Sequence, residues 1–269
     1  MKQLLFSCKA IGVMLLMAVF ISSCQKMASN LPNPKATENK SITRLVSQAP
    51  NLSFLEAAVI KAGLAGTLDA PGTFTIFAPT DDAFKAAGFT TVDDVKNADA
   101  EVLKQILLYH ALGSEVTSSA VQGLNAAPVT TLAGKDFYVT GKNGNVWVNN
   151  AKVIFKDVDA SNGVIHVIDH VLMPPTQNLV QLAQSNPDLS ILVAAVMQAG
   201  AVSLLESDGP FTVFAPTNIA FQNALAALGY SALVDVPNDK LLNILAYHLI
   251  GARVFSYNLS DGLMPETVQ

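Results

Sequence analysis

The sequence predicts an α+β protein built from two similar domains in tandem, and three observations predict it. A block reading Thr75-Ile76-Phe77-Ala78-Pro79-Thr80-Asp81-Asp82-Ala83-Phe84 returns as Thr212-Val213-Phe214-Ala215-Pro216-Thr217-Asn218-Ile219-Ala220-Phe221, 137 residues later. A second block, Ile106-Leu107-Leu108-Tyr109-His110, returns as Ile244-Leu245-Ala246-Tyr247-His248 at an offset of 138. Motifs that keep nearly one offset mark a unit far longer than the roughly 20–50 residues of a solenoid repeat, and long enough to bury its own core. Finally, apolar residues recur at helical spacing before Val129 and alternate in twos after it. Helices come first and a sheet follows.

Composition agrees. The chain has 269 residues, of which 51% are hydrophobic and 14% charged, and a prior of about 150 residues per domain gives two. Without Lys2 and Lys9 of the leader, 14 basic residues face 21 acidic ones. An acidic chain with no Lys/Arg cluster is a poor ligand for phosphate, which argues against a nucleic-acid partner.

The first 24 residues read as a targeting segment. Two lysines precede an apolar run from Ala10 to Ile21, and Ser22-Ser23-Cys24 follows, the order of a secretory signal. The run falls short of the about 20 residues that span a bilayer comfortably. Small residues before Cys24 resemble the lipobox of bacterial lipoproteins, which implies that Cys24 becomes a lipidated first residue. Several tens of buried CH₂ groups at about 0.8 kcal/mol each would make that attachment effectively permanent. The other cysteine, Cys8, lies inside the leader, so mature domains would hold no thiol and no disulfide. Residues 25–40 are polar, carry two prolines and lack apolar periodicity, which predicts a tether.

The first domain is expected over 41–175. Ile42, Leu45 and Val46, then Leu52, Leu55, Ala58 and Val59, predict two short helices split at Pro50. Thr73 to Ala78 reads as a strand, with Thr80 placed to cap the next helix and Asp81 and Asp82 in its first turn. A further helix is expected from Asp99 to Leu112, with Val102, Leu103, Ile106, Leu107 and His110 on one apolar stripe. Phe137 to Thr140 and Asn145 to Asn149 flank Gly141-Lys142-Asn143-Gly144, a hairpin signal. Strands are expected at Lys152–Lys156 and Val164–Leu172, and Pro174-Pro175 ends the unit.

The second domain, 176–269, repeats the order as far as the Tyr247-His248 helix. Beyond Val116 the first domain runs 58 residues to Pro174, whereas only 15 follow the matching Val254. Half a sheet would leave open edges, so the sequence predicts that the second copy is incomplete and the chain a fragment.

These blocks, together with Asn162-Gly163-Val164-Ile165-His166-Val167-Ile168-Asp169-His170-Val171-Leu172-Met173-Pro174, resemble in order and spacing the signature stretches of the fasciclin domain family. The third block has no counterpart in the second copy. The resemblance implies, for each copy, a small twisted β-sandwich or wedge packed with helices. It implies extracellular adhesion or matrix-type binding without a catalytic centre or cofactor. It also implies that Tyr109-His110 and Tyr247-His248 form a recognition element, as in some animal members. The residues themselves favour another role, a buried phenol and imidazole tying a helix to strand backbone, because buried polar groups must find partners.

Other candidates carry less. His166 and His170 on one strand face would stand roughly 13 Å apart, too far to share a metal ion. Asp81-Asp82 and Asp93-Asp94 suit caps and turns better than acid–base pairs, since Asn218-Ile219 replaces the first pair in the second copy. Trp147, the one tryptophan, suits hairpin packing or sugar stacking. The leading expectation is a non-enzymatic envelope lipoprotein that binds an extracellular protein or glycan, with self-association as a blander alternative. The rival is a glycan-binding or glycan-ester-processing accessory protein. Gln25 after Cys24 is not the Asp that retains enteric-type lipoproteins at the inner membrane, which tilts the expectation to the outer membrane.

Overall fold

A computed structural model describes residues 40–268 apart from 208 and 263. The leader with Cys24, and the tether up to residue 39, lie outside the described residues. The chain divides between Leu172 and Met173 into two compact units, each α+β.

Unit one begins with α1 (Ile42–Gln48), α2 (Ser53–Lys61) and α3 (Ala65–Asp69). Pro50 separates the first two as expected, because it lacks an N–H and disfavours helix in the residue before it. Strand β1 (Phe74–Pro79) leads into α4 (Asp81–Ala86), whose cap Thr80 accepts the Ala83 N–H at 3.2 Å. Helices α5 (Val92–Asn97) and α6 (Ala100–Tyr109) follow. The expected helix to Leu112 is corrected here: α6 stops at Tyr109, and Ala111–Leu112 form a strand, β2, antiparallel to β1. Periodicity could not show this, because the residues are apolar on both sides of the break. The open edge of β1 decides it, with the Phe77 N–H donating to the His110 carbonyl at 2.9 Å.

Strands β3 (Ala127–Thr130), β4 (Asp136–Lys142), β5 (Asn145–Val148), β6 (Ala151–Ala160) and β7 (Gly163–Ile168) complete the unit. The hairpin turns at Asn143 and Gly144, both left-handed at φ 53° and 75°, as a two-residue turn requires. Strand β6 is longer than expected and changes register on either side of Phe155, with Asp157 left-handed at φ 57°. Strand β7 ends at Ile168 rather than Leu172, where Asp169 accepts the Lys152 N–H at 2.7 Å.

The sheet order is β2-β1-β7-β6-β5-β4-β3. β7 lies parallel to β1 over six residue pairs and antiparallel to β6. The last strand of unit one therefore sits beside the first. The sheet curls back on itself: the Leu132 N–H, just past β3, donates to the Ala111 carbonyl in β2 at 2.9 Å. Inside the curl pack Phe77, Tyr109, Phe137, Val148, Ile168 and Leu172. The helices cover the outer face, where Ile42, Leu45, Leu55 and Leu103 join Ile165 and Val167 in a second core. Gly163 admits the contact between β7 and β1, because a Cβ there would lie 2.0 Å from the Phe74 carbonyl oxygen.

Unit two repeats this order through α7 (Leu179–Gln184), α8 (Ser190–Gln198), α9 (Val202–Leu205), β8 (Thr212–Val213), α10 (Asn218–Ala227), α11 (Asn238–Tyr247) and β9 (Leu249–Ile250). Its own core gathers Leu192, Ala195, Val196, Phe221 and Leu241. Thr212 pairs with Ile250 and Val213 with Leu249, the register that Thr75–Leu112 and Ile76–Ala111 keep in unit one. Among the described residues, no counterpart of β3 to β7 follows β9.

Candidate functional site

The Tyr-His motif sits where α6 meets β2. Leu103, Ile106 and Leu107 turn inward, while Val102, expected on the same stripe, is exposed. The helix ends on Tyr109, whose ring points into the curl of the sheet and lies edge-on to Phe137 at 6.1 Å between centroids. Its Oη donates to the Asp136 carbonyl at 2.8 Å and accepts from Asn149 Nδ2 at 3.1 Å. His110 is buried beside it. Its Nδ1–H donates to the Ile106 carbonyl at 2.8 Å, and its Nε2 accepts the Leu172 N–H at 2.9 Å. Both ring nitrogens are used by the neutral form. Burial lowers the imidazole pKa from 6.5 to about 4, against the opposing pull of the Ile106 carbonyl. In unit one this pair is a tie between α6, the β4 strand and the segment after β7.

Unit two keeps the backbone geometry and loses the burial. The His248 Nδ1–H donates to the Ile244 carbonyl at 2.7 Å, and the His248 carbonyl accepts the Phe214 N–H at 2.9 Å. Tyr247, however, is 66% exposed where Tyr109 is 1% exposed. His248 is half-buried.

The remaining candidates resolve into structural roles. His166 Nδ1 accepts the Asp157 N–H at 3.1 Å, and its Nε2–H donates to the Val116 carbonyl at 2.8 Å. Burial holds its pKa below the ordinary value, against the Val116 bond and the Asp157 charge. His170 lies beyond the end of β7, against Asp169 at 2.8 Å and largely exposed, so the two histidines do not share a strand face. Among the described residues, no group of three or more His, Cys, Asp or Glu is placed to hold a metal.

Asp81 accepts from Ser53 Oγ at 2.9 Å and the Phe54 N–H at 3.0 Å, tying α2 to α4. Asn218 does the same in unit two, accepting the Ile191 N–H at 2.9 Å and donating to Ser190 Oγ at 3.0 Å. Asp94 accepts from Thr90 and Thr91 in a capping box, and those bonds, the Thr90 hydroxyl first, lower its pKa. Asp82 and Asp93 pair with Lys85 and Lys96 in solvent. Trp147 is half-buried on the β4–β5 hairpin, opposite Thr140 and Lys152.

Sequence reasoning missed a polar knot around Asp157. Its carboxylate accepts the Ser118 N–H at 2.7 Å and the Ser118 hydroxyl, pinning the loop after β2 to β6. The knot contains Ser, Asp and His, but His166 meets Asp157 through the backbone and both its nitrogens are committed, so the imidazole does not reach the Ser118 hydroxyl. Nothing local announces it, since the three residues come together only through the bulge in β6.

Comparison with known proteins gives consistent matches. The fasciclin domain family model matches residues 50–174 and 187–269. Protein sll1483 of Synechocystis sp. is 44% identical over 146 residues, 52% of this chain and 78% of that protein. Transforming growth factor-beta-induced protein ig-h3 of Oryctolagus cuniculus is 31% identical over 204 residues, 75% of this chain but 29% of that protein. Cell surface glycolipoprotein MPB83 of Mycobacterium bovis is 35% identical over 141 residues, 51% of this chain and 61% of its own length. A solved FAS1 domain pair from the insect cell adhesion molecule fasciclin I aligns at 22% identity and TM-score 0.39, over 80% of this chain and 79% of that one.

Proposed function

Because the chain belongs to the fasciclin domain family, we propose that it is a non-enzymatic adhesion or ligand-binding module of the cell envelope. The observation that carries this reading is the family match over both copies, 50–174 and 187–269. Adhesion is the commonest role in that family, and in unit one the Tyr109-His110 pair is committed to scaffold bonds. The ligand in this reading is an extracellular protein or a glycan.

Anchoring is part of the proposal. Residues 1–24 are a leader, Cys24 carries lipid, and the tether of 25–40 spans on the order of 20 Å on average, lifting the domains off an outer membrane. The description of MPB83 as a cell surface glycolipoprotein supports this placement. Among the described residues, no helix is long and apolar enough to cross a membrane. Cys24→Ala is expected to move the protein to the soluble fraction, and beads coated with residues 25–269 are expected to bind cells or matrix. Mutant protein that still sediments with membranes, from a wild type that incorporates no fatty acid, would remove the anchor. Coated beads that behave as bare ones would remove adhesion.

The glycan reading rests on Trp147, half-buried on the hairpin face, where an aromatic ring suits a sugar face. Glycan-array binding lost in Trp147→Ala with unchanged folding would select it.

A further inference from the structure

Strands β4 and β5 of unit one turn one face into the curl of the sheet and the other outward. Phe137, Val139, Val146 and Val148 lie in the inner core, so Tyr138, Thr140, Lys142 and Trp147, at the alternate positions, point away from it. The helical core takes residues from β1, β6 and β7 and none from β4 or β5. Trp147 stands opposite Thr140 on one side and Lys152 on the other. Thr140 is covered by the segment before β3, whose Ala126 N–H its hydroxyl accepts at 2.9 Å. Tyr138 lies on the diagonal from Trp147, within about 7–8 Å, and both rings are half-buried. Ile154, two residues past Lys152, is 42% exposed.

The charge here runs against that of the chain. Residues 127–156 hold Lys135, Lys142, Lys152 and Lys156 and one acid, Asp136, in a protein with 16 basic and 21 acidic residues. On the helices, Lys85, Lys96 and Lys104 each meet an acid three residues away, Asp82, Asp93 and Glu101. Among the described residues, no acid pairs with Lys142 or Lys152. Asp136 is spent on the Thr130 hydroxyl, and Asp169 on the Lys152 amide and His170. Lys156 donates to the Gly144 carbonyl at the hairpin turn. By strand geometry Lys142 and Lys152 are rooted roughly 12 Å apart, on either side of Trp147.

A sugar ring offers a C–H face to an indole, and carboxylates on neighbouring rings offer charge-assisted bonds to two ammonium groups. A peptide strand fits less well, because both edges of β4 and of β5 are already paired, leaving no main-chain edge to extend.

We propose that this outer face of β4, β5 and β6 binds an acidic polysaccharide, one uronic-acid ring lying on Trp147 and the flanking carboxylates held by Lys142 and Lys152. The proposal rests on the glycan reading of Trp147 and adds the charge of the ligand.

The test uses residues 25–269 with a fluorescent oligogalacturonate, and with the methyl ester of the same oligomer as its uncharged counterpart. Binding is read by anisotropy and by the emission of Trp147. The acid form is expected to bind, to shift that emission, and to weaken roughly tenfold as salt rises well above the physiological level. The ester should bind at least about tenfold more weakly, having lost its charge-assisted bonds. Lys142→Gln with Lys152→Gln should cost about as much, at unchanged urea stability. Lys85→Gln with Lys96→Gln removes the same charge from the helices and should cost nothing. Trp147→Ala should abolish binding, and Trp147→Phe should keep part of it. Acid and ester bound equally, with Lys142 and Lys152 indifferent, would overturn the proposal and leave the glycan reading standing. No saccharide bound would end both. Oligothymidylate or anionic vesicles bound as tightly as the acid oligomer, or equal losses in the two lysine pairs, would show a general anion surface and overturn the proposal.

Discussion

The two copies of the Tyr-His motif share a sequence and a backbone and differ in what covers them. His110 and His248 both accept a strand amide on their carbonyl and both donate Nδ1–H back to their own helix. Phe77 is 3% exposed and Phe214 is 45% exposed, and the tyrosines diverge further. The cause lies elsewhere in the chain: Phe137 and Asn149 close over Tyr109, and the segment past β7 meets His110. Exposure of this motif is thus a property of the strands packed against it. A role in recognition cannot be assigned to both copies on sequence alone.

The largest expected difference follows directly. Tyr109→Ala removes a buried ring and should cost unit one about 3–5 kcal/mol, as for other large aromatic truncations. Tyr247→Ala should stay within about 0.5 kcal/mol, as at exposed sites. Trp147 is the one tryptophan and lies in unit one, so its fluorescence during urea unfolding reads that unit separately, and circular dichroism of the chain completes the comparison. Equal losses would break the contrast.

Acid sharpens it. His110 is held neutral in the folded state, with its pKa lowered to about 4, so protons bind the unfolded chain first. Its contribution is fully present above pH 6.5 and is lost as pH falls from there to about 4, a change on the order of 3 kcal/mol at about 1.4 kcal/mol per unit. His166, lowered in the same direction, adds to the slope. Urea midpoints read by Trp147 fluorescence should fall over that window, and His110→Gln should flatten the curve by its own share. A midpoint unchanged between pH 7 and pH 4.5 would contradict the burial of both rings.

Closer to neutral is His110→Ala itself, expected to cost about 1–3 kcal/mol because it strands the Ile106 carbonyl and the Leu172 amide. If binding to any partner falls only with the folded fraction, Tyr109-His110 is scaffold. An unchanged melt with binding lost would make it a recognition site.

The smallest effect is where the copies agree. Asp81 holds the start of α2, and Asn218 holds the start of α8. Asp81→Ala and Asn218→Ala should therefore cost similar amounts, about 1 kcal/mol each. Hydrogen exchange of α2 and α8 in the two mutants measures this, and a loss in one copy only would deny the shared role.

Much of this architecture is legible in the sequence. The repeat, the Pro50 break, the Thr80 cap and the Asn143-Gly144 hairpin all rest on local chemistry that a neighbouring residue cannot override. What escapes depends on distant chain. The end of α6 is set by the edge of β1, the left-handed Asp157 by a bulge in β6 and a loop near Ser118, and the fate of each Tyr-His pair by strands present around one copy. Periodicity places these residues on an apolar face but cannot say whether anything will cover it.

The contrast between covered and open copies is measured most directly by amide hydrogen exchange in residues 25–269. Ile76 and Ala78 are predicted to be protected by their bonds to β7, and Val213 and Ala215 to exchange at least about 100-fold faster, near the rate of locally open structure. Equal protection at the two pairs of amides would contradict the account, because it would mean that something already covers the edge of β8.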